Sequence, residues 1–225
     1  MTAKASHLAF GSGLSLQADA RGIHIVAAEP LWTLSSALVG GGFGWRRHFC
    51  NFHVARNYDS HTPASDLQAW LAASGAPQGE SLAMMTAVPL EHLALEAQGS
   101  VLVAVTAGVG NAVDITAPLA GDSRPVGTIN TLAFLDAHLT ESAMVNACLS
   151  ASEAKVRALQ SLGVLDPHSG TPASGTSTDC LAVAATQRGE PTPYAGSGTR
   201  LGRELGQAVY RATRAALQAS ETNHG

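Results

Sequence analysis

Aromatic side chains make up only 5% of this chain and charged ones only 13%, about half the charged share usual in soluble proteins. With few rings to fill space and with Ala and Gly abundant, the core has to be built from closely approaching backbones with small side chains between them. Cysteine is scarce as well. Cys50, Cys148 and Cys180 are odd in number, far apart and in no CxxC arrangement, so neither a disulfide framework nor a thiolate metal site is indicated. Reduced, small and buried is their default state. No stretch reaches the roughly 18 consecutive apolar residues of a membrane span. The opening MTAKASHLAF also lacks the basic-then-apolar order of a secretory signal. A cytoplasmic protein without membrane contact is expected. Excess positive charge is missing too: the net charge is −4, which argues against a nucleic-acid partner.

Histidine, by contrast, occurs nine times, and HFCNFH sets His48, Cys50 and His53 close together. That spacing matches no established zinc pattern, and HExxH is absent. In an extended strand residues 48 and 50 share one face while 53 falls on the other. No catalytic metal is expected.

Of the 225 residues 45% are hydrophobic, and no Pro/Ser-rich linker or long charge run divides them, so residues 1–225 are read as one domain. Strand-like pieces come first: IHIVAA, then LSSALVGGGF, where glycines at 40 to 42 break any regular element. ASDLQAWLAAS predicts a helix of about ten residues, with Ser65 as cap and Gly75 as stop. Strand and helix then alternate: LAMMTA as a strand, PLEHLALEA as a helix, and VLVAVTAGV as a strand covered on both faces. GTINTLAFLD, a long helix from Thr140 to about Leu162, the strand CLAVAAT and a last helix from Thr199 to about Ala219 complete the chain. The expected fold class is α/β: a single-domain layered sandwich with a mixed β-sheet and flanking helices.

On the long helix Val145, Cys148, Leu149, Ser152, Val156 and Leu159 form the stripe expected to be buried. Glu153 and Lys155 flank it, either as an ordinary Glu153–Arg157 pair with a snorkelling lysine or as parts of a site. On the last helix Arg200, Arg203, Arg211 and Arg214 lie within an arc of about 80°, a stripe that faces either solvent or an anionic partner. YAGSGTRLG places a Gly/Ser turn before this helix with Thr199 as its cap, and free N–H groups at such an end attract anions or carbonyl oxygens.

Four turn-rich stretches stand next to element ends: TAGVGNAVDI, GTIN, SGTSTDC and YAGSGT. Ligand sites in α/β sheets gather at such ends. Glycine lets backbone N–H groups approach a ligand, and Asn, Thr and Asp supply donors and acceptors without bulk. Asn130, in mid-strand on the face of Leu132 and Phe134, is costly to bury without a hydrogen-bond partner or a ligand.

Together NFHVARNYD, TAGVGNAVDI, GTINTLAFLDAHLT, SEAKVRALQSLGV, SGTSTDCLAVA and YAGSGTRLGRELGQAV resemble the adenosylcobinamide amidohydrolase family, in order and spacing, over roughly residues 34 to 212. The resemblance implies hydrolysis of the amide joining the aminopropanol arm to the corrin ring of adenosylcobinamide, giving adenosylcobyric acid in corrinoid salvage. The corrinoid is then the substrate, no further cofactor is required, and its amide-bearing rim calls for a broad cleft lined with small residues. A homodimer is the commonest assembly for such a chain.

Amide hydrolysis needs an attacking group, donors for the developing oxyanion and a proton for the departing amine. Under the resemblance Asp179 accepts a proton from water or orients Thr178, with Glu153 as the complementary acid. Asn111 donates to the oxyanion or grips a corrin amide, beside Asp114. Thr128, Asn130 and Thr131 line the neighbouring strand end, Lys155 holds the product carboxylate, and Asn51 and Tyr58 reach the ring or the adenosyl group. Thr176, Tyr194, Gly196 and Thr199 complete the substrate contacts. Plainer readings stand beside these: a turn or cap for Asp179, Asx turns for Asn111 and Asp114, a structural tyrosine for Tyr58. Cys180 and a hydroxyl of SGTSTD remain alternative nucleophiles. A non-catalytic corrinoid binder and a hydrolase of another amide are the alternative functions.

Overall fold

The computed structural model of the chain describes residues 4–11, 13–118 and 127–222. Its first third is β-structure: β1 (Lys4–Leu8), β2 (Leu14–Asp19), β3 (Gly22–Ser35) and β4 (Gly42–His53), followed by α1 (Pro63–Ser74) and β5 (Ser81–Thr86). Then come β6 (Ala94–Gln98), β7 (Val101–Gly108), β8 (Ala112–Val113), β9 (Thr128–Leu135), β10 (His138–Leu139) and α2 (Glu141–Ser161). β11 (Gly175–Thr176), β12 (Cys180–Ala185), β13 (Pro191–Thr192) and α3 (Arg200–Thr222) close the described chain.

One nine-stranded sheet runs β1-β2-β3-β12-β9-β7-β6, with β4 on the other side of β3 and β5 beside β4. It is mixed, as expected: β12 is parallel to β9 and β5 to β4, while the other pairs are antiparallel. The 14-residue β3 gives its first half to β2 and its second half to β12, with a register shift against β4 between Val26 and Leu31. That break lets the sheet curl, so Phe49 of β4 meets Phe134 of β9 at 5.0 Å between ring centroids. Every residue of β9 is buried, because one face meets this inner core and the other meets α2 and α3.

The sparse-aromatic, alanine-rich composition shows directly in the helical layer. α2 buries Ala143, Met144, Ala147, Ser150, Ala151, Ala158 and Leu159, a stripe of mostly methyl groups that lets it lie close to α3 and the sheet. The expected stripe is therefore corrected. Of its members only Leu159 is fully buried; Val145 is 47% exposed, Leu149 is 56% exposed, and Ser152 faces solvent. The larger apolar side chains lie beside the close-packed alanine face rather than in it.

Other boundaries follow from local chemistry. α1 starts at Pro63, with Thr62 rather than Ser65 at the cap position; proline at the first helical position has no N–H to leave unpaired. Thr140 caps α2 by accepting from Ala143 N. PLEHLALEA is not helical: after one 3-10 turn, ALEAQ forms β6 and pairs antiparallel with β7, cross-strand pairing overriding a modest helix propensity. The arginine stripe of α3 is largely spent at home. Arg200 pairs with Glu204 at 2.7 Å, Arg211 reaches Glu96 and Gln98 of β6, and the Arg214 guanidinium lies over the Tyr210 ring. Arg200 and Arg203 are the exposed members of the four, while Arg211 and Arg214 are half-buried.

In the histidine-rich stretch His48 Nδ1 meets His24 Nε2 at 3.1 Å, and Cys50 is buried with its thiol pushed up to about 12 by burial. Burial and then the neighbouring His48 lower the His24 pKa; burial and Arg47 lower that of His48 against the pull of Glu80. Both rings thus bind protons less readily folded than unfolded. Their contribution is present above the unfolded value of about 6.5 and is lost as pH falls below it. The urea midpoint is expected to fall between pH 7.5 and 5.5, and His24→Leu is expected to flatten that slope; an unchanged slope in the variant would remove the pair as its source.

Candidate active site

The hydroxyl loop between β11 and β12 is organised around one carboxylate. Asp179 Oδ1 accepts from Ile129 N at 3.1 Å and from the Thr176 hydroxyl; Oδ2 accepts from Thr176 N at 3.1 Å and from Lys155 Nζ at 2.5 Å. Four donors saturate the lone pairs of a carboxylate. The Lys155 and Asp179 side chains are only 19% and 17% exposed, so the ion pair is largely shielded from water. Gly175 leaves room for this pair: a Cβ on it would come within 2.5 Å of Asp179 Oδ2 and 2.7 Å of Lys155 Nζ and would push them aside.

One cavity of about 610 Å³ opens beside this loop, lined among others by Tyr58, Asn111, Thr128, Asn130, Thr178 and Asp179. These come from the turn after β4, the turn before β8, the start of β9 and the loop before β12, so segments more than a hundred residues apart converge. Thr178 Oγ1 donates to Gly127 O at 2.8 Å, and Thr128 Oγ1 donates to Thr178 O at 2.8 Å. Asn111 Nδ2 donates to Ser177 Oγ at 2.7 Å. Its Oδ1 is buried with no partner among the described residues, and an unpaired buried acceptor costs about 1–3 kcal/mol. Gly127 leaves room for it, since a Cβ there would come within 2.3 Å of that oxygen.

Asn130 has the partners that its mid-strand place demanded. Its Nδ2 donates both to Asn51 Oδ1 and to Met85 O, each at 2.8 Å, and Asn51 Nδ2 donates to Thr106 Oγ1 at 2.9 Å. The chain of amides ties β4, β5, β7 and β9 together behind the cavity. Asn51, 4% exposed, supports Asn130 from behind and is not among the cavity-lining residues. Tyr58 does line the cavity, and its hydroxyl donates to Asp66 at 2.6 Å.

A second cavity of about 400 Å³ lies on the α2 side of the same strand ends, lined by Leu34, Thr131, Cys148, Ser152, Lys155 and Leu181 among others. Ser36, Asp179 and Cys180 line both cavities and form a lip between them. Ser36 Oγ accepts from Leu181 N at 3.1 Å and contacts Cys180 Sγ at 3.6 Å. Burial raises the Cys180 thiol pKa, which weakens it as a nucleophile.

Other expected contacts lie elsewhere. Glu153 is exposed and lines neither cavity; two residues before Lys155 on a helix it points about 200° away. Asp114 pins its own turn, accepting from Thr116 N and Thr171 Oγ1, and these bonds, Thr171 first, lower its pKa. Tyr194 is 65% exposed, while the Thr199 hydroxyl donates to Gly196 O and accepts from Gly202 N. This turn closes on itself as a cap of α3 and lines neither cavity. Ser36 was missed; it is a hydroxyl at a strand end near glycine, the signal used for SGTSTDC, where Ser177 lies, but not applied to LSSALVGGG. Among the described residues no three His, Cys, Asp or Glu side chains are grouped to hold a metal, and no described helix is long and apolar enough to cross a membrane.

An adenosylcobinamide amidohydrolase of Halobacterium salinarum is 33% identical over 158 residues, which cover 67% of this chain and 65% of that protein, slightly under two thirds of its length. An adenosylcobinamide amidohydrolase of Methanosarcina mazei is 28% identical over 189 residues, 80% of this chain and 87% of that protein. A crystal structure of a Pyrococcus horikoshii protein overlays with a TM-score of 0.45 at 8% identity, covering 88% of this chain and 78% of the other, too loose a likeness to inform the site. The family model described as adenosylcobinamide amidohydrolase matches residues 10–225. The chain belongs to the adenosylcobinamide amidohydrolase family.

Proposed function

We propose that this chain hydrolyses the amide between the corrin ring and the aminopropanol arm of adenosylcobinamide, releasing adenosylcobyric acid and the amine for cobamide salvage. The convergence of Tyr58, Asn111, Thr128, Asn130, Thr178 and Asp179 on one 610 Å³ cavity carries this reading. Small polar side chains at the ends of a rigid sheet suit a substrate whose rim offers many amides.

The scissile amide sits at the Ser36–Asp179–Cys180 lip. The four donors around Asp179 leave it no lone pair for a proton until one of them lets go. Lys155 is the one that can: its ammonium turns from Oδ2 to the carbonyl oxygen, where negative charge develops as water adds to the carbon. The freed Asp179 oxygen takes a proton from that water and passes it to the nitrogen as the C–N bond breaks, so the arm leaves as a neutral amine. The new carboxylic acid gives its remaining proton to solvent, and Lys155 then faces the product carboxylate. The unpaired Asn111 oxygen accepts an N–H from a rim amide, while Thr128 and Thr178 offer hydroxyls. Glu153, on the far side of α2, has no part in this scheme.

Mass spectrometry of adenosylcobinamide incubated with pure protein tests the proposal. Adenosylcobyric acid is expected, with one oxygen from labelled water in its new carboxylate. Recovery of unchanged substrate would overturn it, and a shift in the corrin absorption without product would make the chain a binder.

A further inference from the structure

Two exposed aromatic side chains stand side by side on β4 and an exposed leucine lies on α2, and nothing in the proposed hydrolysis uses them. Phe43 and Trp45 of β4 are 40% and 49% exposed, and Leu149 of α2 is 56% exposed. Trp32 of β3 joins the two rings, its centroid 5.8 Å from Phe43 in a stacked arrangement and 5.3 Å from Trp45. The register puts Trp32 opposite Trp45 and Leu34 opposite Phe43, so all four project from one face of the sheet. It is the α2 face, because Trp32 and Leu34 pack at the edge of the core beneath that helix.

This face runs straight into the smaller cavity. Leu34 lines that cavity, as do Cys148 and Ser152 of α2. Phe43 is the next side chain out from Leu34, at the end of the sheet where Ser35 pairs with Gly42 and Ser36 begins the lip. Cys148 and Ser152 of α2 share that cavity with Leu34, and Val145 and Leu149 continue the same helix stripe, which the alanine packing leaves uncovered. None of these eight residues is charged. The aromatic face and the helix stripe thus meet at a cavity whose polar lining includes Lys155 and Asp179.

We propose that Trp32, Phe43 and Trp45, with Leu149 opposite, form the platform on which the body of the corrin macrocycle lies while its amide arm reaches Asp179. This rests on the function proposed above and adds the site for the ring. Its occupant has to present a broad flat face to the rings and carry an arm that enters a narrow polar cavity; a corrinoid has both properties, and its cationic cobalt centre is compatible with aromatic faces. Two strand spacings, about 10 Å, separate β12 from β4, a span that a macrocycle bridges and a lone amide does not. Tryptophan and phenylalanine provide wide contact at little conformational cost. A second copy of the chain laid on this face would instead bury the lip against protein and leave the cavity without an arm to fill it.

The test compares wild type with Phe43→Ser/Trp45→Ser, both positions being exposed, and with Trp45→Tyr, which keeps a ring. Adenosylcobinamide affinity is read from quenching of the remaining tryptophan fluorescence, together with KM, kcat and the sedimentation coefficient. The double variant is expected to raise Kd and KM at least about tenfold with kcat within about twofold, and Trp45→Tyr to stay near wild type. Should the double variant lose its fold, Trp45→Ser against Trp45→Tyr decides in the same way. Wild-type KM in the serine variants overturns the platform and leaves the hydrolase reading standing. A wild-type dimer that becomes monomeric with unchanged KM gives the face to a second copy and also overturns it. A wild-type protein that neither binds nor cleaves the corrinoid overturns the function reading and this one with it.

Discussion

Asp179→Asn is expected to lower kcat for corrinoid amide hydrolysis by at least about a hundredfold, some 2.7 kcal/mol of transition-state stabilisation. Asparagine keeps the size but removes the charge that holds Lys155 and the acceptor that takes the proton. KM should change less, because the Asn111, Asn130 and Thr128 side of the cavity does not depend on Asp179. Two roles compete for this carboxylate, since its four donors also make it the anchor of residues 175–179. A double-mutant cycle with Lys155→Ala separates them. If Asp179 acts on water, Lys155→Ala keeps that step and loses only oxyanion support, so Asp179→Asn is the more damaging change in kcat. If Asp179 only anchors, each single variant and the double lose the same amount, and the proton-transfer role is gone. Asp179→Ala in addition leaves Ile129 N, Thr176 N and a shielded ammonium without their acceptor. It should cost about 2–4 kcal/mol of stability in urea unfolding.

How far the sequence disclosed this site depends on which physical signal each residue carried. Hydroxyls and glycines at strand ends pointed to the loop of Thr176, Thr178 and Asp179 and to Asn111, and the structure brings Asn111, Thr178 and Asp179 to one cavity, with Thr176 holding Asp179. Asn130 was legible for a stronger reason, because an amide in a buried strand needs a partner. What stayed illegible was the direction in which helices and turns face. The α2 stripe of larger apolar residues looked like core, yet close packing selected the alanines beside it, and that rotation carries Glu153 away while Lys155 reaches Asp179. Thr199 met its cap signature, but a cap that satisfies its own turn has nothing left for a ligand. β6 was hidden because LALEA has helical propensity while its pairing partner, β7, lies beyond the turn at Gly99 and Ser100. The aromatic platform escaped notice because Trp32, Phe43 and Trp45 converge only through the β3–β4 register.

Asn130→Leu should be the most destabilising substitution in the amide chain behind the cavity, costing about 2–4 kcal/mol in urea unfolding. Asn130 is 2% exposed and Asn51 is 4% exposed. Leucine has the same branching and number of heavy atoms, so cavity formation adds little and hydrogen bonding sets the cost. The substitution strips Asn51 Oδ1 and Met85 O of their donor at once, and each buried acceptor left alone costs about 1–3 kcal/mol. The partner variant Asn51→Leu removes the acceptor from one Asn130 N–H and the donor to Thr106, but the Met85 contact survives, so its loss should be smaller. Combining the two should cost less than the sum, because the acceptor that Asn130→Leu orphans no longer exists. Strict additivity would mean that the amides are satisfied by water in each single variant. A loss under about 0.5 kcal/mol for Asn130→Leu would mean that β9 is held to β4 and β5 by apolar packing alone, with Phe49 and Phe134 as its centre.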